Sequence, residues 1–207
     1  MDSLRRIAAA IVPALCAVCR SPCACDEVVC PACGEGLEGA APLAGDPPPG
    51  IDVCWSRAAH AGVARELVFA LKFRRLLPAA GLMAALIAAA APAEVLSSVI
   101  VPAPPARWRA RARGFDPAGD IAAGLQLHLD LALRQCLERR GEGRQVGRRR
   151  SERLAAPPAI AATGPAPDRA LLVDDVMTTG ATLASCAAAL RAAGARRVAA
   201  VTFVRKL

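Results

Sequence analysis

Leu171-Leu172-Val173-Asp174-Asp175-Val176-Met177-Thr178-Thr179-Gly180-Ala181-Thr182 is the stretch from which the fold can be read. Leu171 to Val173 have the character of a buried strand. Two acids follow, then a turn of Thr and Gly, and from Ala181 the chain enters an Ala/Leu segment with helical spacing. A helix starting near Ala181 leaves its first backbone N–H groups without partners inside it. Thr178, Thr179 and Thr182 add hydroxyls, and Gly180 lets the backbone come close to a ligand. Such a loop seats a phosphate. Each charge-assisted hydrogen bond contributes about 1.5–3 kcal/mol and the helix dipole about 0.3–1 kcal/mol, so several donors have to act together. Asp174 and Asp175 beside the seat suit sugar hydroxyls or the hydration shell of Mg2+, because carboxylates accept hydrogen bonds and hard cations prefer oxygen. The structural alternative is a strand ending in two solvated acids ahead of a Thr-rich helix start. Neither G-x-x-x-x-G-K-[ST] nor a G-x-G-x-x-G after a strand occurs in the chain.

The run from Leu171 to Thr182 resembles the phosphoribosyl-pyrophosphate signature of type I phosphoribosyltransferases. The resemblance implies that Asp174 and Asp175 bind the ribose hydroxyls and that Val176, Met177, Thr178, Thr179, Gly180, Ala181 and Thr182 surround the 5′-phosphate.

Composition bounds the rest. With 207 residues, 55% of them hydrophobic, the chain has room for one α/β domain with a sizeable core and a small appendage. The formal net charge of +8 comes from arginine, Lys72 and Lys206 being the only lysines. That balance favours phosphate-bearing partners without choosing between a small phosphate and a nucleic acid. No apolar run reaches the roughly 18 residues a membrane helix needs, and Ala79 to Ala91 reads as a core helix. Met1 to Ala14, with Arg5 and Arg6 ahead of Ile7 to Val12, has the outline of a short export signal. Cleavage there would fall beside the cysteines, which favours a short helix packed on the domain and a cytoplasmic protein.

Six of the nine cysteines crowd into Cys16, Cys19, Cys23, Cys25, Cys30 and Cys33. Cys16, Cys19, Cys30 and Cys33 form two C-x-x-C pairs ten residues apart. Four thiolates so spaced suit structural zinc and stabilise a segment too small for its own core, with disulfides as the alternative. Cys54, Cys136 and Cys186 read as core residues. Residues 1–37 are therefore expected to form an N-terminal helix and zinc-ribbon-like module, residues 38–50 a Pro/Gly-rich, polyproline-like linker, and residues 51–207 the α/β domain.

From Ile51 apolar strands alternate with helical stretches. A strand is predicted over Asp52 to Ala59, and Val63, Leu67, Val68 and Leu71 share a helix face. Leu82 to Ala90 reads as a second helix, Val99 to Val101 as a strand, and Val198 to Val204 as the last strand. That order argues a mostly parallel sheet flanked by helices, with ligands beyond the strand C-termini. The strand at Val101 runs into Pro102-Ala103-Pro104-Pro105, and the prolines predict an extended segment in which Arg107, Arg109, Arg111 and Arg113 all face an anion. Asp116 and Pro117 then start a helix. A second cluster holds Arg139, Arg140, Arg144, Arg148, Arg149, Arg150 and Arg153, and it reads as well as a solvated surface as an anion site.

Together these features resemble the ComF family of phosphoribosyltransferase-like proteins over nearly the whole chain. The matching residues are the four outer cysteines, Leu71-Lys72-Phe73, Val101-Pro102-Ala103-Pro104, Arg113-Gly114-Phe115, Gln145 with Arg153, and Val173 to Thr182. Asp116 departs from the family's usual Asn, Pro117 from a frequent Gln, and His60 from a usual aromatic. The resemblance implies binding of phosphoribosyl pyrophosphate with Mg2+ through Pro102, Ala103, Pro104, Arg109, Arg111 and the signature loop, and a structural Zn2+. It also implies single-stranded DNA as a partner, through Arg107, Arg109, Arg144, Arg148, Arg149, Arg150 and Arg153, in DNA uptake during natural transformation alongside uptake-machinery proteins. With no Tyr, two Trp and four Phe, such binding is expected to be electrostatic. Two other functions remain open. One is an active transferase in which Asp174, Asp175 and Arg113 act on the ribose and the departing pyrophosphate; the other is a module that binds the ligand without turnover.

Overall fold

The computed structural model describes residues 14–96, 99–140 and 157–207, the side chains of Arg107 and Arg109 excepted. In chain order the elements are β1 (Ala14–Leu15), β2 (Pro22–Cys23), α1 (Pro31–Glu38), β3 (Leu43–Ala44), β4 (Val53–Ala59), α2 (Gly62–Arg74), α3 (Pro78–Ala90) and β5 (Val99–Pro102). Then come α4 (Arg107–Arg113), α5 (Pro117–Leu129), β6 (Ala132–Leu133), β7 (Leu137–Arg139), β8 (Ile160–Ala162), β9 (Arg169–Met177), α6 (Ala181–Ala192) and β10 (Arg197–Arg205).

The central sheet has the order β3-β4-β10-β9-β5-β6. From β4 to β6 all neighbours run parallel, and β3 closes one edge antiparallel to β4. The two middle strands are near-continuous apolar runs because both their faces are covered. Leu171, Val173, Ala199, Val201 and Phe203 belong to the core shared with α2, α3 and α5, whereas Ala170, Leu172, Val198 and Ala200 pack with Leu183, Cys186 and Leu190 of α6. Each large apolar side chain so enclosed contributes about 1.5–3 kcal/mol. The Ala-rich composition of α3 has a packing reason: a Cβ on Gly124 of α5 would stand 2.6 Å from the Cβ of Ala84, so these helices approach closely only with small residues in register.

Three sequence expectations are corrected. The segment after Val101 does not stay extended: the prolines end at Pro105, and Arg107–Arg113 is helix α4. Arg and Ala are strong helix formers, and positions two apart on a helix lie on different sides, so the extended arrangement expected of this segment is not formed. Strand β9 continues through Asp174, Asp175 and Val176 to Met177, which shortens the loop to Thr178, Thr179 and Gly180. The proline-rich linker is packed. Leu43 and Ala44 pair with Ser56 and Trp55 of β4, and Pro48 lies against Gly180. Helix α1 is fastened to β4 by the buried Arg57, which donates hydrogen bonds to the carbonyls of Leu37, Glu38 and Ala40 at 2.7–3.0 Å. A cation there also complements the helix dipole. Arg74 of α2 donates to the carbonyl of Ala17 at 2.9 Å, a second tie between the cysteine segment and the domain body. The expected helix before Ala14 lies outside the described residues, as do Arg144, Gln145, Arg148, Arg149, Arg150 and Arg153.

Candidate functional site

The site grows from the end of β9. Its residues alternate across the sheet, so Asp174 and Asp175 leave the strand on opposite sides. Asp175 is 7% exposed and lies on the side of α2, where Lys72 Nζ meets its carboxylate at 2.6 Å. Asp174 lies on the α6 side and accepts the backbone N–H of Asp175 at 2.9 Å. Burial, then the charge of Asp175, holds the Asp174 carboxyl well above the usual carboxylate range. Burial first, and Asp174 after it, push the Cys186 thiol up as well. The order of types in the sequence puts the two acids side by side but does not show their division between two faces.

Gly180 has φ 74° and is the N-cap residue of α6; a Cβ there would stand 2.6 Å from Cγ of Pro48. Only glycine satisfies both the left-handed backbone and that close approach. Thr179 Oγ1 accepts from the N–H of Ala181 at 3.4 Å, which turns its hydroxyl to the loop's own backbone. Thr178 and Thr182, together with Asp174 and Asp175, line a cavity of about 210 Å³ at the C-terminal edge of β5 and β9. Its other wall is the chain after β5: Ala103, whose N–H donates to the carbonyl of Val173 at 2.9 Å, and Pro104.

Of the residues expected at the phosphate, Val176, Thr178 and Thr182 reach this cavity. Met177 is buried on the α6 side with its sulfur 3.8 Å from Cys54 Sγ. Arg113 reaches the cavity from α4, while Arg111 is exposed on another side of that helix. Lys72, Arg139 and Asp116 also line the cavity, and none of them is among the residues expected to hold the ligand. The motif Leu71-Lys72-Phe73 was a visible signal for the first; nothing in the sequence distinguished Arg139 from its neighbours. Asp116 stands at the start of α5 as expected, and burial pushes its carboxyl up to about 6.

The cysteines meet as their spacing requires. The sulfurs of Cys16, Cys19, Cys30 and Cys33 all lie within 4.8 Å of one another, and all are free thiols. A zinc–sulfur tetrahedron with bonds of about 2.3 Å has edges of about 3.8 Å, and Cys19 and Cys30 are 3.6 Å apart. Hydrogen bonds from the Ser21 hydroxyl and backbone bring the Cys19 thiol down to about 6, which eases metal binding by thiolate. The four could hold a zinc ion, and Cys23 and Cys25 are outside the cluster.

One comparison concerns the C-terminal part of the chain, which carries β9 and its loop. Residues 111–207 match the family model of the phosphoribosyl transferase domain. This phosphoribosyl transferase domain match takes in Arg113, Asp116, Arg139, both acids and the threonine loop, and leaves the cysteine segment, Lys72, Ala103 and Pro104 outside it. Among solved structures, a purine phosphoribosyltransferase from Pyrococcus horikoshii Ot3 is similar, with 18% identity over 63% of this chain and 82% of that one and a TM-score of 0.36. No curated protein matches. Among the described residues no helix is long and apolar enough to cross a membrane.

Proposed function

We propose that the cavity at the end of β9 binds phosphoribosyl pyrophosphate with Mg2+, and that the chain is a ComF-like protein which also binds single-stranded DNA. The convergence of Asp174, Asp175, Thr178 and Thr182 on one cavity carries the proposal. In this reading the 5′-phosphate rests on Thr178, Thr182 and the N-terminal end of α6, and the two acids accept hydrogen bonds from the ribose hydroxyls. Lys72 pairs with Asp175, so that carboxylate meets the sugar as half of an ion pair. The pyrophosphate lies toward Ala103, Pro104 and the Arg113 and Arg139 guanidiniums. The carboxylate oxygens fit a hard cation, and Mg2+ there would neutralise the pyrophosphate oxygens as the bond to C1 weakens. The ComF pattern, the net charge of +8 and the arginine clusters support the DNA-binding part, with a cytoplasmic role in DNA uptake beside other uptake proteins.

A second reading, active phosphoribosyl transfer to a base or amine, is favoured by Asp116. A carboxyl at about 6 that lines the cavity can accept a proton from an acceptor at neutral pH. The C1–pyrophosphate bond would break, the acceptor nitrogen would bond to C1, and its proton would pass to Asp116. Incubation with Mg2+, phosphoribosyl pyrophosphate and a panel of bases and amines separates the readings. Ligand-induced thermal stabilisation without pyrophosphate release is the outcome for a binding protein, release for a transferase, and neither if the cavity does not take this ligand.

A further inference from the structure

Three of the six aromatic residues are solvent-exposed and gather in one place: Phe69 is 43% exposed, Phe73 64% and Trp108 63%. Phe69 and Phe73 stand one turn apart on α2 with ring centroids 4.9 Å apart, and Trp108 comes from α4. Between them lies a cleft of about 1000 Å³. It shares Lys72, Arg113 and Val176 with the sugar-phosphate cavity, so the two adjoin. Arg113 stacks over the Phe73 ring at 5.6 Å, and Arg75 holds the end of α4 through the carbonyl of Arg113. Basic groups dominate the lining; the acid, Glu66, is paired with Arg65 at 2.8 Å.

Exposed π-faces beside guanidiniums are the means by which proteins hold unpaired nucleobases while tracking a phosphate backbone. The cleft is at the upper end of the roughly 300–1,000 Å³ of small-molecule sites and is open to solvent, more room than one base fills.

We infer that this cleft, walled by Phe69, Phe73 and Trp108, is where the bases of a single nucleic-acid strand stack as the strand passes the mouth of the sugar-phosphate cavity. The inference rests on the reading that the chain binds single strands, and it changes the expected character of that binding. Stacking adds a component that survives salt, where the scarcity of aromatics in the sequence pointed to electrostatics alone.

The test uses the full zinc-loaded chain, a dT oligomer of about a dozen nucleotides, and a same-length oligomer lacking bases, at low and high salt. The dT oligomer is expected to bind about tenfold more tightly than the abasic one and to quench the fluorescence of exposed Trp108. Phe69→Ala with Phe73→Ala should remove that advantage while the thermal stabilisation by phosphoribosyl pyrophosphate persists, which shows that the variant is folded. Equal binding of the two oligomers, unchanged in the variant, would overturn the cleft assignment and leave single-strand binding standing. No binding of either would overturn the underlying reading. Quenching by a free base only when phosphoribosyl pyrophosphate is present would make the cleft an acceptor pocket, and a dimer that buries Trp108 without binding either oligomer would make it an interface; each outcome overturns the inference.

Discussion

At the scale of single residues, Asp116 is the sharpest test of the site's electrostatics. Its folded-state value of about 6 lies above the ordinary 3.8, so the native protein holds this proton more tightly than the unfolded chain. The stability it contributes is full below about pH 4 and is lost as pH rises through about 6. Asp116→Asn keeps a good N-cap residue and cannot ionise. Urea denaturation should find the variant about 1–2 kcal/mol more stable at pH 7.5 and no more stable at pH 4; equal gains at both values would contradict burial as the cause. The identities of Asp174, Asp175 and Thr178 were legible because their types fall in an ordered run. Lys72 was hidden as a site residue because its ion pair with Asp175 spans a hundred residues of chain and is made by packing α2 on the sheet.

Secondary-structure elements explain both the successes and the errors of sequence reading. β9, β10 and α6 were legible from apolar runs and periodicity, because a strand buried on both faces admits little else. The arginine-rich stretch was misread because Arg at every second position fits an extended chain, while the intervening alanines and the absence of proline between Pro105 and Pro117 favour α4. The linker was misread because two residues of strand, Leu43 and Ala44, carry too little pattern to be seen. Its order depends on Arg57, which answers three carbonyls from inside the domain. Arg57→Ala should cost about 2–4 kcal/mol, since one buried and two half-buried acceptors lose their donor together. Proteolysis between α1 and β3, monitored by mass spectrometry, should accelerate in the variant; an unchanged rate would mean that other contacts hold the linker.

The whole molecule is a mostly parallel α/β body tied to a segment that carries the four-cysteine cluster, and the two are expected to have separable stabilities. The sulfur cluster has Val63 and a few partly buried residues for neighbours rather than a core of its own. Chelation of zinc should therefore unfold residues 14–38 and leave the sheet intact. Hydrogen exchange should show protection lost in α1 and kept in β9 and β10; loss of protection throughout would show that the metal organises the entire chain. The mostly parallel sheet flanked by helices was legible from strand and helix alternation, but the position of the aromatic cleft was not, because it depends on where α4 lies relative to α2. Calorimetric titration of the zinc-loaded protein with phosphoribosyl pyrophosphate and Mg2+, set beside Asp174→Asn and Asp175→Asn, tests the central claim most directly. One site per chain is predicted, with affinity at least about tenfold weaker in each variant, each losing roughly 1.5 kcal/mol or more of charge-assisted hydrogen bonding. Absence of heat with the unmodified protein, or equal affinity in all three, would contradict the assignment of this cavity.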